Sequence, residues 1–264
     1  MVPVYLGVAK FTTDQYGIIT EMYSYVAFLV VFLTYGMETA YFRYSTLKEY
    51  DSKKVYSTII LSLFSTSFLF IAFAFLFDQS IADWLKYPNN KEFVTWFAII
   101  VGLDAISSIP MARLRAENKP GKFALINFAN IAVNIGLNLF FLAYCLPNHM
   151  SGETNWIINT FYNPEIGVGY VFISNLIASV VKFLLLMPEM LKARYGIEFS
   201  LLKKMFIYAL PLLVFGLAGI VNETIDRIML KRMLFDTIGE KETLSQLGIY
   251  GACYKVSIII TLFI

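Results

Sequence analysis

Residues 59–77 read "IILSLFSTSFLFIAFAFLF", nineteen residues without a charge. A strand of a membrane barrel would alternate apolar and polar residues, because one face meets lipid and the other a lumen. This stretch does not alternate. A helix of about 20 apolar residues crosses the hydrocarbon core with every backbone hydrogen bond closed inside the segment. Working outward, the chain offers seven such segments: Tyr16–Phe42, Val55–Phe77, Phe93–Ala112, Phe123–Leu146, Ile166–Pro188, Met205–Asn222 and Leu247 to the end. The expected fold is an all-α, polytopic transmembrane helical bundle.

Composition excludes the main alternatives. With 264 residues, 58% hydrophobic, 17% aromatic and 15% charged, the chain has too little polar surface for a soluble globule. The net charge of +2 and the short basic clusters between apolar runs argue against a nucleic-acid partner. Cys145 and Cys253 both lie in apolar runs, which points to neither a disulfide framework nor a metal site. No phosphate-cradling glycine loop and no metal-spaced His or Cys set occurs, so no cofactor is expected.

Orientation follows from Lys and Arg, which accumulate in cytoplasmic loops. Arg43, Lys48, Lys53 and Lys54 share one connection; Arg113, Arg115, Lys119 and Lys122 a second; Lys192, Arg194, Lys203 and Lys204 a third. These alternate connections are placed in the cytoplasm. Arg227, Lys231 and Arg232 fall on the opposite side, which either counts against this orientation or means that they belong to a sixth helix running on past the membrane and serve a site.

The two ends of the chain resemble each other. "QYGIITEMYSYVAFLVVF" (15–32) and "QLGIYGACYKVSIIITLF" (246–263) share Gln, Gly, Ile, Tyr and Phe at an offset of 231. Transporters are often built from parallel repeats. On that plan residues 1–196 form an N-terminal transmembrane lobe of six helices whose first helix is mostly missing. Residues 197–264 begin a C-terminal lobe, and the expectation is of an incomplete chain.

Three stretches carry a resemblance. "FTTDQYGIITEMYSYVAFLVVFLTYGMETAYFRYS" (11–45), "RLRAENKPGKFALINFANIAVNIGLNLFF" (113–141) and "NETIDRIMLKRML" (222–234) resemble bacterial lipid-linked oligosaccharide flippases. These are the polysaccharide-export branch of the superfamily that also holds multidrug extruders. The pattern is Asp14 beside Tyr16 and Gly17, then Gly36 with Phe42 and Arg43, a basic hairpin before an Asn-bearing helix, and an Asp-Arg ending. The resemblance implies two six-helix lobes around a central cavity. It also implies a polyprenyl-diphosphate sugar moved across the inner membrane by alternating access, as in O-antigen export, membrane lipids as surroundings, and a proton or sodium ion as a coupling partner.

Polar groups inside a membrane are costly unless they face water or each other, which singles out cavity candidates. Asn127, Asn130, Asn134 and Asn138 recur at helical spacing on one face of the fourth span. Amides bind sugar hydroxyls without adding charge, and they also bond one another between helices. Asp104 sits mid-span ahead of Pro110, and Lys182 lies close enough to the cytoplasmic edge to snorkel. Glu21 and Glu38 are placed at opposite interfaces of the first span. Asp226 and Arg227 close the sixth span, where Glu223 stands at ion-pair spacing from Arg227. Lys255 lies well inside the last segment and has no route to an interface.

Two other functions share this composition. A cation-coupled drug extruder would keep the fold with a smaller, more acidic cavity. A polytopic polysaccharide polymerase or glycosyltransferase would need a catalytic outer loop, for which residues 147–165 supply only His149, Glu153 and Glu165. The reading is therefore a transporter rather than an enzyme.

Overall fold

The computed structural model describes residues 11–152, 155–194 and 196–261. It is helical throughout: α1 (Thr13–Thr34), α2 (Met37–Thr46), α3 (Ser52–Leu76), α4 (Asp78–Trp84), α5 (Lys91–Ala116), α6 (Pro120–Asn138), α7 (Leu146–Met150), α8 (Trp156–Phe161), α9 (Gly169–Met190), α10 (Phe199–Ile238) and α11 (Glu240–Thr261). No strand occurs among the described residues. Six spans are long and apolar enough to cross a membrane, counting α1 with α2 and α6 through α7 as single spans. They coincide with the first six segments read from the sequence. The seventh segment is α11, whose apolar tail from 262 lies outside the described residues.

Two compact units share these helices: Met1–Ala27, Asn134–Ser174 and Ile220–Ile264 form one, Phe28–Val133 and Asn175–Gly219 the other. In the second unit α3 packs on α5 around Tyr41, Tyr56, Ile59, Leu63, Ile109 and Met205. Pro110 is accommodated inside α5. Asp51 caps α3, accepting from the Lys53 amide at 2.9 Å and satisfying one of the first-turn donors. Phe68, Leu69 and Phe75 on α3 are exposed, as lipid-facing residues of a span must be.

The basic hairpin between α5 and α6 is closed by charge. The Glu117 carboxylate takes Arg113 Nε and Lys119 Nζ at 2.5 Å each, and Arg113 also lies 4.4 Å over the Tyr56 ring. Partial burial alone would raise the Glu117 pKa, but hydrogen bonds from Lys119 and Arg113 hold it below the usual range. The same bond raises Lys119. Nearby, the buried Glu189 accepts from Lys122 at 2.6 Å and Lys192 at 2.5 Å, tying the start of α6 to the end of α9.

Local geometry departs from the simple segments in three places. The first is not one helix: Tyr35 and Gly36 take positive φ (35° and 71°) between α1 and α2. A Cβ on Gly36 would stand 3.0 Å from the Ala209 carbonyl oxygen, so the break admits a close approach by α10. The fourth loses its α register at Asn138, after which Leu139–Cys145 form a π-helical turn. There Asn138 Nδ2 donates to the Asn134 carbonyl at 2.8 Å, competing with the helix's own bonds. The sixth extends far beyond Met205–Asn222, since α10 runs unbroken through Pro211 to Ile238.

In the first unit, Phe141, Tyr170 and Tyr162 form a stack with centroid spacings of 4.4 and 5.1 Å. Burial pushes the Tyr162 phenol up to about 12.

Candidate functional site

In the first unit α1 and α11 touch backbone to backbone. A Cβ on Gly17 would lie 2.0 Å from the Leu244 carbonyl oxygen, and one on Gly248 1.9 Å from that of Thr13. Only glycine permits this approach. The Thr13 and Ser245 hydroxyls are 2.6 Å apart beside it. The contacts follow the offset of 231: Gly17 meets the counterpart of Thr13, Gly248 meets Thr13 itself, and Gly251 meets its own counterpart, Thr20.

Against this crossing α10 presents Thr224, Arg227 and Lys231, buried on one face at helical spacing. Lys231 Nζ donates to Glu21 Oε2 at 2.7 Å, with the residues 5% and 1% exposed. Glu21 is thus not at an interface, as expected from its position in the span, but inside the unit, where desolvation demands a partner. Neither the charge's depth nor Lys231's helical phase is visible in a span read alone.

Arg227 is 9% exposed, and its guanidinium lies 4.1 Å from the Tyr254 ring centroid. Its Nε has no hydrogen-bond partner among the described residues. The spacing to Glu223 does not produce an ion pair there, because Glu223 points to the exposed side of α10. Lys255 is exposed on α11 rather than enclosed as its place in the apolar run suggested, with Nζ 5.4 Å from the Tyr16 ring centroid. Asp226 accepts a hydrogen bond from Tyr250. Asp226, Arg227 and Lys255 are therefore brought together with Tyr16, Tyr250 and Tyr254, aromatic neighbours that the charge pattern did not single out. Rings hold Arg227 and Lys255 by cation–π attraction without neutralising them.

The second unit places Lys182 Nζ 3.3 Å from Asp104 Oδ1, with the Ser179 hydroxyl 3.5 Å from the same oxygen. Lys182 turns to this partner rather than to the membrane edge. Glu38, by contrast, is half-buried and paired with Arg115, as suits an interface.

The four asparagines keep one side of α6. Asn127, Asn130 and Asn134 are half-buried and Asn138 fully buried, whereas Phe128, Ile131, Ile135 and Leu139, one position on, are exposed. The apolar stripe is the lipid face. Asn138 Nδ2 also reaches Asn134 Oδ1 at 3.1 Å, so this pair bonds along its own helix. The buried Asn138 Oδ1 has no partner among the described residues.

No group of three or more His, Cys, Asp or Glu that could hold a metal occurs among the described residues. Cys145 is buried and Cys253 exposed, both as free thiols.

A helical bundle with six spans long and apolar enough to cross a membrane is a multi-pass membrane protein. The model of a family of polysaccharide biosynthesis proteins matches residues 11–264, and the chain belongs to that family. No curated protein and no solved structure matches it. Its role lies in polysaccharide biosynthesis at the membrane.

Proposed function

We propose that the chain carries a polyprenyl-diphosphate-linked oligosaccharide across the inner membrane by alternating access, as a flippase rather than an enzyme. The observation that carries this reading is Arg227: a guanidinium nine-tenths buried, with Nε unpartnered among the described residues and Lys255 in the same unit. A diphosphate cannot leave the interface without compensating cations, because an unpaired ion at depth costs at least several kcal/mol. Arg227 offers the geometry that phosphate oxygens match, and Lys255 a point charge. The amide stripe from Asn127 to Asn138 supplies uncharged contacts for saccharide hydroxyls. Asp104 with Lys182 is the place for a coupling proton or sodium ion, since a carboxylate that exchanges partners can release or capture a cation. On this reading residues 1–196 are one lobe and 197–264 the start of a second.

The test is complementation of a flippase-deficient strain, with lipid-linked intermediates followed on each face of the membrane. Arg227→Ala and Lys255→Ala are expected to abolish or strongly reduce flipping while the protein is still made, and Lys255→Arg to retain part of it. Transport at wild-type rates by both alanine variants overturns the anionic-substrate reading and favours a drug extruder of the same fold.

A further inference from the structure

The second unit holds a groove of about 660 Å³ that the proposed transport path does not use. One wall is a single face of α10, where Phe199, Leu202, Lys203, Phe206, Leu210 and Leu213 follow one another at helical spacing. The other wall comes from the end of α1 and from α3, where Tyr35 and Ser62 hydrogen-bond to each other at 2.8 Å and leave no free polar group between them. The lining is otherwise apolar, except at Lys203 and at Thr66, whose hydroxyl bonds back to the Ser62 carbonyl of its own helix at 3.1 Å. No carboxylate lines the groove. Lys203 makes no hydrogen bond or ion pair among the described residues, whereas the adjacent Lys204 donates to Tyr50 at 3.1 Å and Arg43 sits 4.4 Å over Tyr208.

Length and charge identify an occupant. From Phe199 to Leu213 the groove follows α10 for about 21 Å, at 1.5 Å per residue. One leaflet contributes about 15 Å of a hydrocarbon core about 30 Å thick, so the groove reaches from the headgroup level through a single leaflet. By the distribution of basic loops that leaflet is the cytoplasmic one, where anionic headgroups attract unpaired Lys and Arg. We propose that this groove is a binding site for an acidic phospholipid of the cytoplasmic leaflet, one acyl chain lying along Phe206 and Leu210 and the headgroup phosphate on Lys203. The groove volume falls within the range of about 300–1,000 Å³ common to sites for single small ligands. The long tail of a polyprenyl carrier would overrun a groove confined to one leaflet.

Brominated lipids test this directly, because bromine quenches a nearby tryptophan. A Phe206→Trp variant in vesicles of phosphatidylcholine, with brominated phosphatidylglycerol or brominated phosphatidylcholine added, reports occupancy once the signal of Trp84, Trp96 and Trp156 in the parent is subtracted. Phosphatidylglycerol is expected to bind about fivefold more tightly, the effect of one basic residue near an anionic headgroup. Lys203→Ala should bring the ratio to about one and Lys203→Arg should keep it. Equal quenching by the two lipids, or a preference that survives Lys203→Ala, overturns the proposal. So does displacement of phosphatidylglycerol by a polyprenyl phosphate at lower concentration. If the tryptophan variant does not fold, mass spectrometry of the intact parent from micelles containing phosphatidylglycerol decides: one retained lipid is expected, lost in Lys203→Ala, and an unchanged adduct refutes the site.

Discussion

Replacing Gly17 by alanine should part α1 from α11. The added methyl would stand 2.0 Å from the Leu244 carbonyl oxygen, where ordinary contact begins at 3.4 Å, so the helices must separate by about 1.4 Å. Both obstacles at this crossing, Leu244 O and Thr13 O, are backbone atoms, and no side-chain rotation relieves them. Overpacking costs about 1–3 kcal/mol, and this case belongs at the upper end. Alanine returns up to about 1 kcal/mol through helix propensity. The remaining 2 kcal/mol or so is about a thirtyfold shift away from the closed crossing. Cross-linking measures it. In a background of Cys145→Ala and Cys253→Ser, cysteines at Thr13 and Ser245, whose hydroxyls lie 2.6 Å apart, should form a disulfide readily. Gly17→Ala or Gly248→Ala should slow that reaction at least tenfold. Gly219→Ala on α10, where a Cβ meets nothing within 4 Å, should leave it unchanged. Cross-linking at the parental rate in both crossing variants would refute the reasoning.

Other outcomes follow from the charges. Lys231→Met alone should destabilise the protein by about 3–5 kcal/mol by removing the cation bonded to the buried Glu21 carboxylate, and Glu21→Gln with Lys231→Met should recover much of it; thermal unfolding in detergent reads both. Asp104→Asn should free Lys182 and remove the pH or sodium dependence of flipping in proteoliposomes, and an unchanged dependence places the coupling elsewhere. Glu117 has a depressed pKa in the fold, so its contribution is fully present above the unfolded value near about 4.3 and is lost as pH falls through the lower folded value. Hydrogen exchange in the 113–122 hairpin should therefore quicken under strong acid, and Glu117→Gln should exchange fast at every pH. Single cysteines at Ser52, Asn118 and Lys192 should resist an impermeant maleimide added outside intact cells.

The spans were legible because hydropathy over about 20 residues is a strong, local signal, and α3 and α5 lie where the apolar runs put them. Breaks were not. Tyr35 and Gly36 interrupt a run that stays apolar, because their conformation answers to Ala209, far along the chain. Short helices such as α4 and α8, of seven and six residues, are too brief for a hydropathy window of about 20 residues to register. Asp226, Arg227 and Lys255 stood out as charges in apolar surroundings, but their neighbours Tyr16, Tyr250 and Tyr254 looked like ordinary membrane aromatics. Glu21 and Lys231 are separated by 210 positions, and only the docking of α1 on α10 reveals that they satisfy each other.

The crossing also fixes the register of the two helices. Each offers a glycine to the backbone of the other, Gly17 to Leu244 and Gly248 to Thr13, so neither position has room for a side chain. Beside them Gly251 faces Thr20, where even a methyl would lie 2.5 Å from the Thr20 hydroxyl, so the threonine fits only because its neighbour has no side chain. Sliding one helix past the other would bring a Cβ onto a backbone oxygen, and the pair is therefore keyed to a single alignment.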